Sequence, residues 1–366
     1  MAVGLPAKTT YVDGDVFSAS DINDTNGTLN LVGQTTNFYA GKNKIINGDF
    51  RINQRAFTST TTNATYGFDR WRLDTSGGTV TYSAQTFTAG TAPVAGYEGV
   101  NFARVVTASQ SASGNYSLLA QGIEDVRVLA GQTATISFWA KAASGTPKVG
   151  VCIDQSFGSG GSAAAQTFSS VTISTSWARY SVTINVPSIS GKTIGANNTI
   201  YLYLVTSLGS GLPSYGDIGL QNATIDFWGV QVEAGSAATA FQTATGTIQG
   251  ELAACQRYYF RNSADASNTF ATFGVAFATG STTVSSPIYL PVTMRIVPAS
   301  LDFSSLAFLN FGGTTYTVSA AVLAGNSQSP TVLYVQLTVT GATAGQVGRL
   351  TSNSSSSGFI GFSAEL

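Results

Sequence analysis

The sequence predicts an all-β protein: a jelly-roll-like β-sandwich followed by a smaller β domain, behind a short and mostly non-β N-terminal segment. Three observations predict it. From about residue 43 onward, apolar and polar residues alternate with period two between turns rich in Gly, Ser and Asn. Helical spacing occurs in only two short stretches. Charged residues make up 10% of the 366, against 43% hydrophobic. A globular chain usually carries about 25% charge, so Ser, Thr, Asn, Gln and Gly must cover most of this surface.

The elements follow in order. Residues 1–42 form a first unit, with an Asp13-Gly14 turn and Ser18 with Asp21 as a helix cap. Ile22, Asn26 and Leu29 then fall at helical spacing. Such a helix is too short to be stable alone and needs a partner to bury it. NKIINGDFRINQR (43–55) reads as a short strand at Ile45-Ile46, a tight Asn47-Gly48 turn and a second strand through Ile52. Strands are expected at 79–83, 101–107, 133–140, 148–153, 178–186, 199–205 and 224–233. GSGGSAAA (158–165) reads as a surface loop. Many short strands without helices between them make a sandwich over 43–250. GELAACQRYYFR breaks the alternation, since Leu252, Cys255, Gln256 and Tyr259 have helical spacing. It is expected to be a helical connector over 251–261. Residues 262–366 form the distal β domain, with strands at 272–277, 288–293, 316–320 and 332–340, a Ser-rich loop at 352–358 and a last strand in FIGFSAEL.

Composition excludes several functions. With 17 basic and 18 acidic residues, no basic field exists to bind nucleic acid or an anionic membrane. No run approaches the roughly 18 uninterrupted apolar residues of a membrane span, and the start carries no secretory pattern. Synthesis in a cytosol, without membrane insertion, is the expectation. Histidine is absent, which removes Ser-His-Asp and Cys-His catalysis and histidine metal ligation. Cys152 and Cys255 are expected to be buried thiols rather than a disulfide. Ser190-Gly191-Lys192-Thr193 ends like a phosphate loop, but Val186 and Pro187 stand where its first glycine is needed. Glu124, Asp125, Asp154, Asp217, Asp226 and Glu233 form no motif that selects a catalytic pair.

Aromatics carry more information. In TISFWAKA, Ile136, Phe138 and Ala140 share one strand face, which leaves Trp139 on the other. In TIYLYLV, Tyr201 and Tyr203 lie opposite Ile200, Leu202 and Leu204. Flat aromatics on a non-core face can stack on sugar rings; the alternative is that a loop or a neighbouring subunit buries them. Trp71 and Trp177 read as core residues. Asn47 and Asp226 are candidate oxygen ligands for a structural calcium ion of the kind sandwich modules hold; no other cofactor is expected.

Taken as a series, NKIINGDFRINQRAF, YGFDRWRLD, TISFWAKA, WARYSVTINVP, IDFWGVQVEAGSAATAFQ and ELAACQRYYF resemble the carbohydrate-binding-module-like sandwich of bacteriophage tail fibre and receptor-binding proteins. TTYVDGDVFSASDIND is similar to the N-terminal segment of many phage tail proteins, and IYLPVTMRIVP to the start of the distal domain that follows such a sandwich. The resemblance implies a virion protein assembled in the host cytoplasm, usually a homotrimer. It would be joined to other tail proteins by residues 1–42, with its C-terminus outward. The expected role is adhesion to a host-surface glycan without catalysis. A purely structural decoration, collar or baseplate part and a depolymerase spike are the alternatives. On that geometry the loops after Arg261, including Gly312-Gly313 and 352–358, meet the host first. The face of Trp139, Tyr201 and Tyr203 is the second candidate.

Overall fold

The computed structural model describes residues 41–325 and 327–366. The expected helix after Ser18 and nearly all of the proposed attachment unit lie outside the described residues. No helix among the described residues is long and apolar enough to cross a membrane.

Twelve strands build the sandwich: β1 (Ser59–Thr60), β2 (Thr65–Tyr66), β3 (Arg72–Ser76), β4 (Thr79–Thr86), β5 (Asn101–Ala108), β6 (Tyr116–Glu124), β7 (Thr133–Ala142), β8 (Lys148–Ser156), β9 (Ala165–Thr172), β10 (Ala178–Asn185), β11 (Thr199–Leu208) and β12 (Thr224–Ala234). The first sheet runs β1-β4-β5-β12-β7-β10 and the second β2-β3-β6-β11-β8-β9. The fold is all-β and jelly-roll-like, as expected. Alternation does what the sequence implied. Ile136, Phe138 and Ala140 of β7 meet Ile200, Leu202 and Leu204 of β11 in one buried core, with Phe50, Phe68, Trp71 and Phe227. Side chains of this size contribute roughly 1.5–3 kcal/mol each when fully buried.

The NGDF stretch is not a strand–turn–strand. Residues 46–49 form a turn and no strand is assigned at Ile45-Ile46. Asn47 takes φ 56°, and its side chain accepts from the Ile52 amide (2.8 Å) and donates to the Ile52 and Asp69 carbonyls. Gly48 then lies so close to the backbone of Val230 that no Cβ fits. The Val230 amide donates to its carbonyl at 2.9 Å. This contact sits on a β-bulge between Trp228 and Gln231, where Gly229 has φ 63°. The bulge shifts the phase of β12, so Ile225 and Phe227, then Val230 and Val232, face the core.

The connector helix α1 spans Ile248–Gln256, capped by Thr247, whose hydroxyl accepts from the Gly250 amide at 3.0 Å. It begins earlier and ends sooner than expected. Residues 259–261 are already strand: β13 (Tyr259–Ser263) pairs with the last strand of the chain.

The distal domain continues with β14 (Thr272–Ala278), β15 (Thr283–Tyr289), β16 (Ser300–Ser304), β17 (Leu306–Asn310), β18 (Thr315–Thr317), β19 (Ala320–Leu323), β20 (Val332–Thr338), β21 (Val347–Ser352) and β22 (Phe359–Ser363). They form a three-stranded sheet, β13-β22-β16, and a seven-stranded one, β18-β17-β21-β14-β15-β20-β19. Two expectations are corrected here. The strand placed at 288–293 lies at Thr283–Tyr289, because Pro291 has no amide to continue a ladder. The strand placed at 316–320 is two strands on opposite edges of the large sheet, so the chain crosses over between Thr317 and Ala320.

The chain's last residues do not point outward. Glu365 pairs with Arg70 and with Arg55 (3.2 Å) of the sandwich. The Tyr66 hydroxyl donates to the Leu366 carbonyl at 2.9 Å. Arg70 lies over the Tyr258 ring at 3.4 Å and Arg55 over the Tyr259 ring at 3.6 Å. Residues 364–366 are thus wedged between the two domains.

Candidate functional site

Trp139 and the Tyr201–Tyr203 pair do not share a face. β7 belongs to the first sheet and β11 to the second, so their non-core faces look away from each other across the sandwich.

The first outer face is closed by the chain itself. Trp228, Phe87 and Phe102 are buried there, with Trp139, Trp177, Tyr97 and Phe241 packed around them. Trp139 sits 5.5 Å from Trp228, edge-on, with the Arg179 guanidinium 4.7 Å over its ring. A Cβ on Gly229 would come within 2.7 Å of its six-membered ring. Trp139 is therefore half-buried, packed against Trp228 and Phe241 with Arg179 over its ring. Trp71 is in the core as expected, but Trp177 is not; it is half-buried on this face, 5.5 Å from both Phe87 and Phe102. The covering segment is held by Glu233, which accepts from the Thr239 amide (2.9 Å) and hydroxyl (2.7 Å), from Gln231, and pairs with Lys42. Burial alone would raise the Glu233 pKa, but these bonds together hold it below the usual carboxylate range.

The second outer face is partly open: Tyr116, Tyr201 and Tyr215 are half-buried, while Tyr203 is 9% exposed. Tyr201 and Tyr203 stand parallel, 5.7 Å apart with ring planes at 8°. Tyr215, from the loop after β11, leans on Tyr203 at 5.8 Å. Beneath them lie Leu118, Ala120, Cys152, Val205, Leu208 and Ile218. A cavity of about 200 Å³ opens between Asp74, Tyr116, Leu118, Tyr203, Leu208, Leu212 and Tyr215. Its polar edge is fixed. The Tyr203 hydroxyl donates to Asp154 (3.2 Å), which also accepts from Gln166 (2.8 Å), and Arg72 grips Asp74 through two bonds of 2.7 Å. Burial raises the Asp154 pKa against those two hydrogen bonds. Burial, then the Asp154 charge, pushes the Cys152 thiol up to about 12. Cys152 and Cys255 are both buried and unbonded.

Sequence reasoning missed Tyr116, Tyr215, Asp74 and the role of Asp154. Tyr116 starts β6, which is buried on both faces over most of its length and so shows no alternation. Tyr215 sits in a short 3₁₀ turn begun by Pro213; the Pro was the only local signal.

Asn47 and Asp226 do not make a calcium site. The Asn47 side chain is committed to the backbone of Ile52 and Asp69. Asp226 faces outward and is held by Arg104 (2.7 and 3.0 Å) and Lys141 (3.7 Å). The two residues share no partner. No group of three or more His, Cys, Asp or Glu among the described residues could hold a metal. Glu124 is taken by Arg257, through bonds of 3.0 and 2.9 Å, and Asp125 by Arg127.

No family model and no curated protein matches this chain. Solved structures do. The enzymatically active domain of tailspike protein 4 from bacteriophage CBA120 is 15% identical with a TM-score of 0.33, covering 53% of this chain and 21% of that one. The chain therefore spans about a fifth of that tailspike structure. A family 11 carbohydrate-binding module from Clostridium thermocellum, solved with a β-1,3-1,4-mixed-linked tetrasaccharide, is 12% identical with a TM-score of 0.30, covering 50% of this chain and 98% of the module. A xylan-binding domain from Paenibacillus barcinonensis is 16% identical with a TM-score of 0.29, covering 45% and 92%.

Proposed function

We propose that this chain is a non-catalytic adhesive protein of a bacteriophage particle, a short tail fibre or similar appendage, that grips a host-surface glycan through the tyrosine face of the second sheet. The open groove of Tyr201, Tyr203, Tyr215 and Tyr116 carries the glycan-binding part. It offers apolar ring faces beside fixed carboxylates, which is what a pyranose with one apolar face and a hydroxyl rim requires. Trp139 drops out because its ring packs against Trp228 and Phe241 with Arg179 over it. The distal loops become the second candidate: Asn310 uses its side chain to hold the Gly312-Gly313 turn through Thr314, and Ser355 and Ser357 bond each other.

The series of segments from Asn43 to Phe260 supports the virion part, with residues 1–42 joining other tail proteins and assembly in the host cytoplasm. Homotrimerisation is supported by the outer side of the seven-stranded sheet. Val275, Val322 and Val347 are 58, 54 and 48% exposed there, and burial between copies would remove them from water. Mass measurement in solution checks that part; a monomer at micromolar concentration contradicts it.

The glycan reading is tested by binding of the full chain to host-surface polysaccharide. Tyr201→Ala and Tyr215→Ala should each weaken binding roughly tenfold, the size of one lost stacking contact. Binding should change little between low and moderate salt, since stacking and neutral hydrogen bonds carry it. If both variants bind as well as the parent chain, contact lies in the distal loops. Release of reducing ends from the polysaccharide would overturn the non-catalytic reading.

A further inference from the structure

A larger cavity, of about 380 Å³, opens beside the closed face, and the glycan reading does not use it. Its wall includes Asp49, Arg51, Tyr97, Phe241, Thr247 and Glu251. Four parts of the chain meet here: the NGDF turn, the loop before β5, the segment at 241–243 that covers the first sheet and the start of α1.

Its chemistry is specific. Tyr97 and Phe241 form a corner, with centroids 5.5 Å apart and planes at 77°. Asp49 is 3% exposed and accepts from the Tyr97 hydroxyl at 2.8 Å. Glu251 is also 3% exposed. Its oxygens are already engaged, by the Thr245 amide (2.7 Å) and hydroxyl (2.9 Å) and by the Asn47 amide (2.8 Å). It supplies charge rather than a free ligand atom. Two carboxylates face one guanidinium, so an anion is disfavoured. A metal ion would find only Asp49 with coordination to spare, so it is disfavoured too. An ammonium group satisfies both halves of the site: it donates a charge-assisted hydrogen bond to the carboxylate side and lies against aromatic ring faces. At the rim, the hydroxyls of Thr243 and Thr247 accept from the Gly246 and Gly250 amides and keep their own protons to donate. They suit a hydroxylated carrier.

We propose that this cavity is a second ligand site, one that takes the primary ammonium of an amino sugar. It stands apart from the tyrosine groove and does not depend on it. Burial raises both the Asp49 and Glu251 carboxyls above their ordinary range, and a cation seated between them offsets the cost of keeping them ionised.

The test titrates the full chain with glucosamine, N-acetylglucosamine and glucose, read by tryptophan emission, since Trp228 is 5.4 Å from Tyr97. Glucosamine should bind at least tenfold more tightly than either of the others. Asp49→Asn keeps an acceptor for Tyr97 but removes the charge, and should weaken glucosamine at least tenfold. Arg51 is exposed, so Arg51→Gln leaves the fold intact; it should tighten glucosamine severalfold by removing a like charge. Tyr201→Ala should change nothing, which separates this site from the groove. Equal affinity for the three sugars, no detectable binding, or no change in both Asp49→Asn and Arg51→Gln overturns the proposal.

Discussion

Both outer faces of the sandwich carry aromatics on their central strands, yet one face is shut and the other partly open. On the first sheet, Trp139 and Trp228 are packed under Phe241 and Tyr97, and Arg179 lies over the Trp139 ring. On the second, Tyr201 and Tyr203 stand over a small apolar floor with a cavity beside them. Alternation therefore places a residue outside the core without placing it in solvent. What decides is whether a later stretch of chain returns over the strand. Residues 239–242 do so for the first sheet, pinned by Glu233 and Gln231.

This contrast can be broken most directly at Trp228, which is fully buried. If the closed face is a second core, Trp228→Ala should cost about 3–5 kcal/mol in denaturant unfolding. A cost below about 1 kcal/mol would mean that the face is merely covered. A smaller effect is expected at Gly229→Ala. The left-handed backbone alone costs about 1–2 kcal/mol, and the new Cβ also pushes on Trp139. Near-neutral stability in a thermal melt would show that the bulge relaxes freely. Tyr201→Ala on the open face should lower stability by no more than about 1 kcal/mol while weakening the proposed glycan binding roughly tenfold. A larger stability loss than at Gly229 would erase the distinction.

The smallest effect is a difference of sign with pH. Glu233 has a lowered pKa in the folded chain, so its contribution is present above the ordinary carboxylate value and lost as pH falls through the folded one. Acid should loosen the covering segment, seen as earlier hydrogen exchange at the Thr239 amide, and Glu233→Gln should abolish that dependence. Asp154 on the open face is raised. Its contribution is present below the ordinary value and lost as pH rises through the folded one. The faces should respond in opposite directions across the acid range.

Much of the fold was legible. Strands with one open face, such as β4, β10 and β20, announced themselves by alternation, and the connector helix by its spacing. β6 did not, because both of its sides are covered and Ser117, Gln121 and Gly122 stand among its apolar residues, so no period-two pattern shows. The Ile45-Ile46 strand was wrong because the Asn47 side chain, not a neighbouring strand, takes up the local backbone groups. Of the site, Tyr201 and Tyr203 were found and Trp139 was grouped with them, although it lies on the opposite sheet.

By itself the sequence determined the all-β class, the facing of each alternating strand, the helix near residue 250 and the absence of histidine chemistry. Each of these is set by neighbours along the chain or by composition. Only the tertiary structure decided which aromatic face stays open, that Asn47 and Asp226 never meet, and that Glu365 returns to Arg55 and Arg70. Those outcomes depend on contacts between residues far apart in sequence, such as 229 with 139 and 365 with 70. No local pattern encodes them, because the strand period fixes where a side chain points and not what comes to lie in front of it.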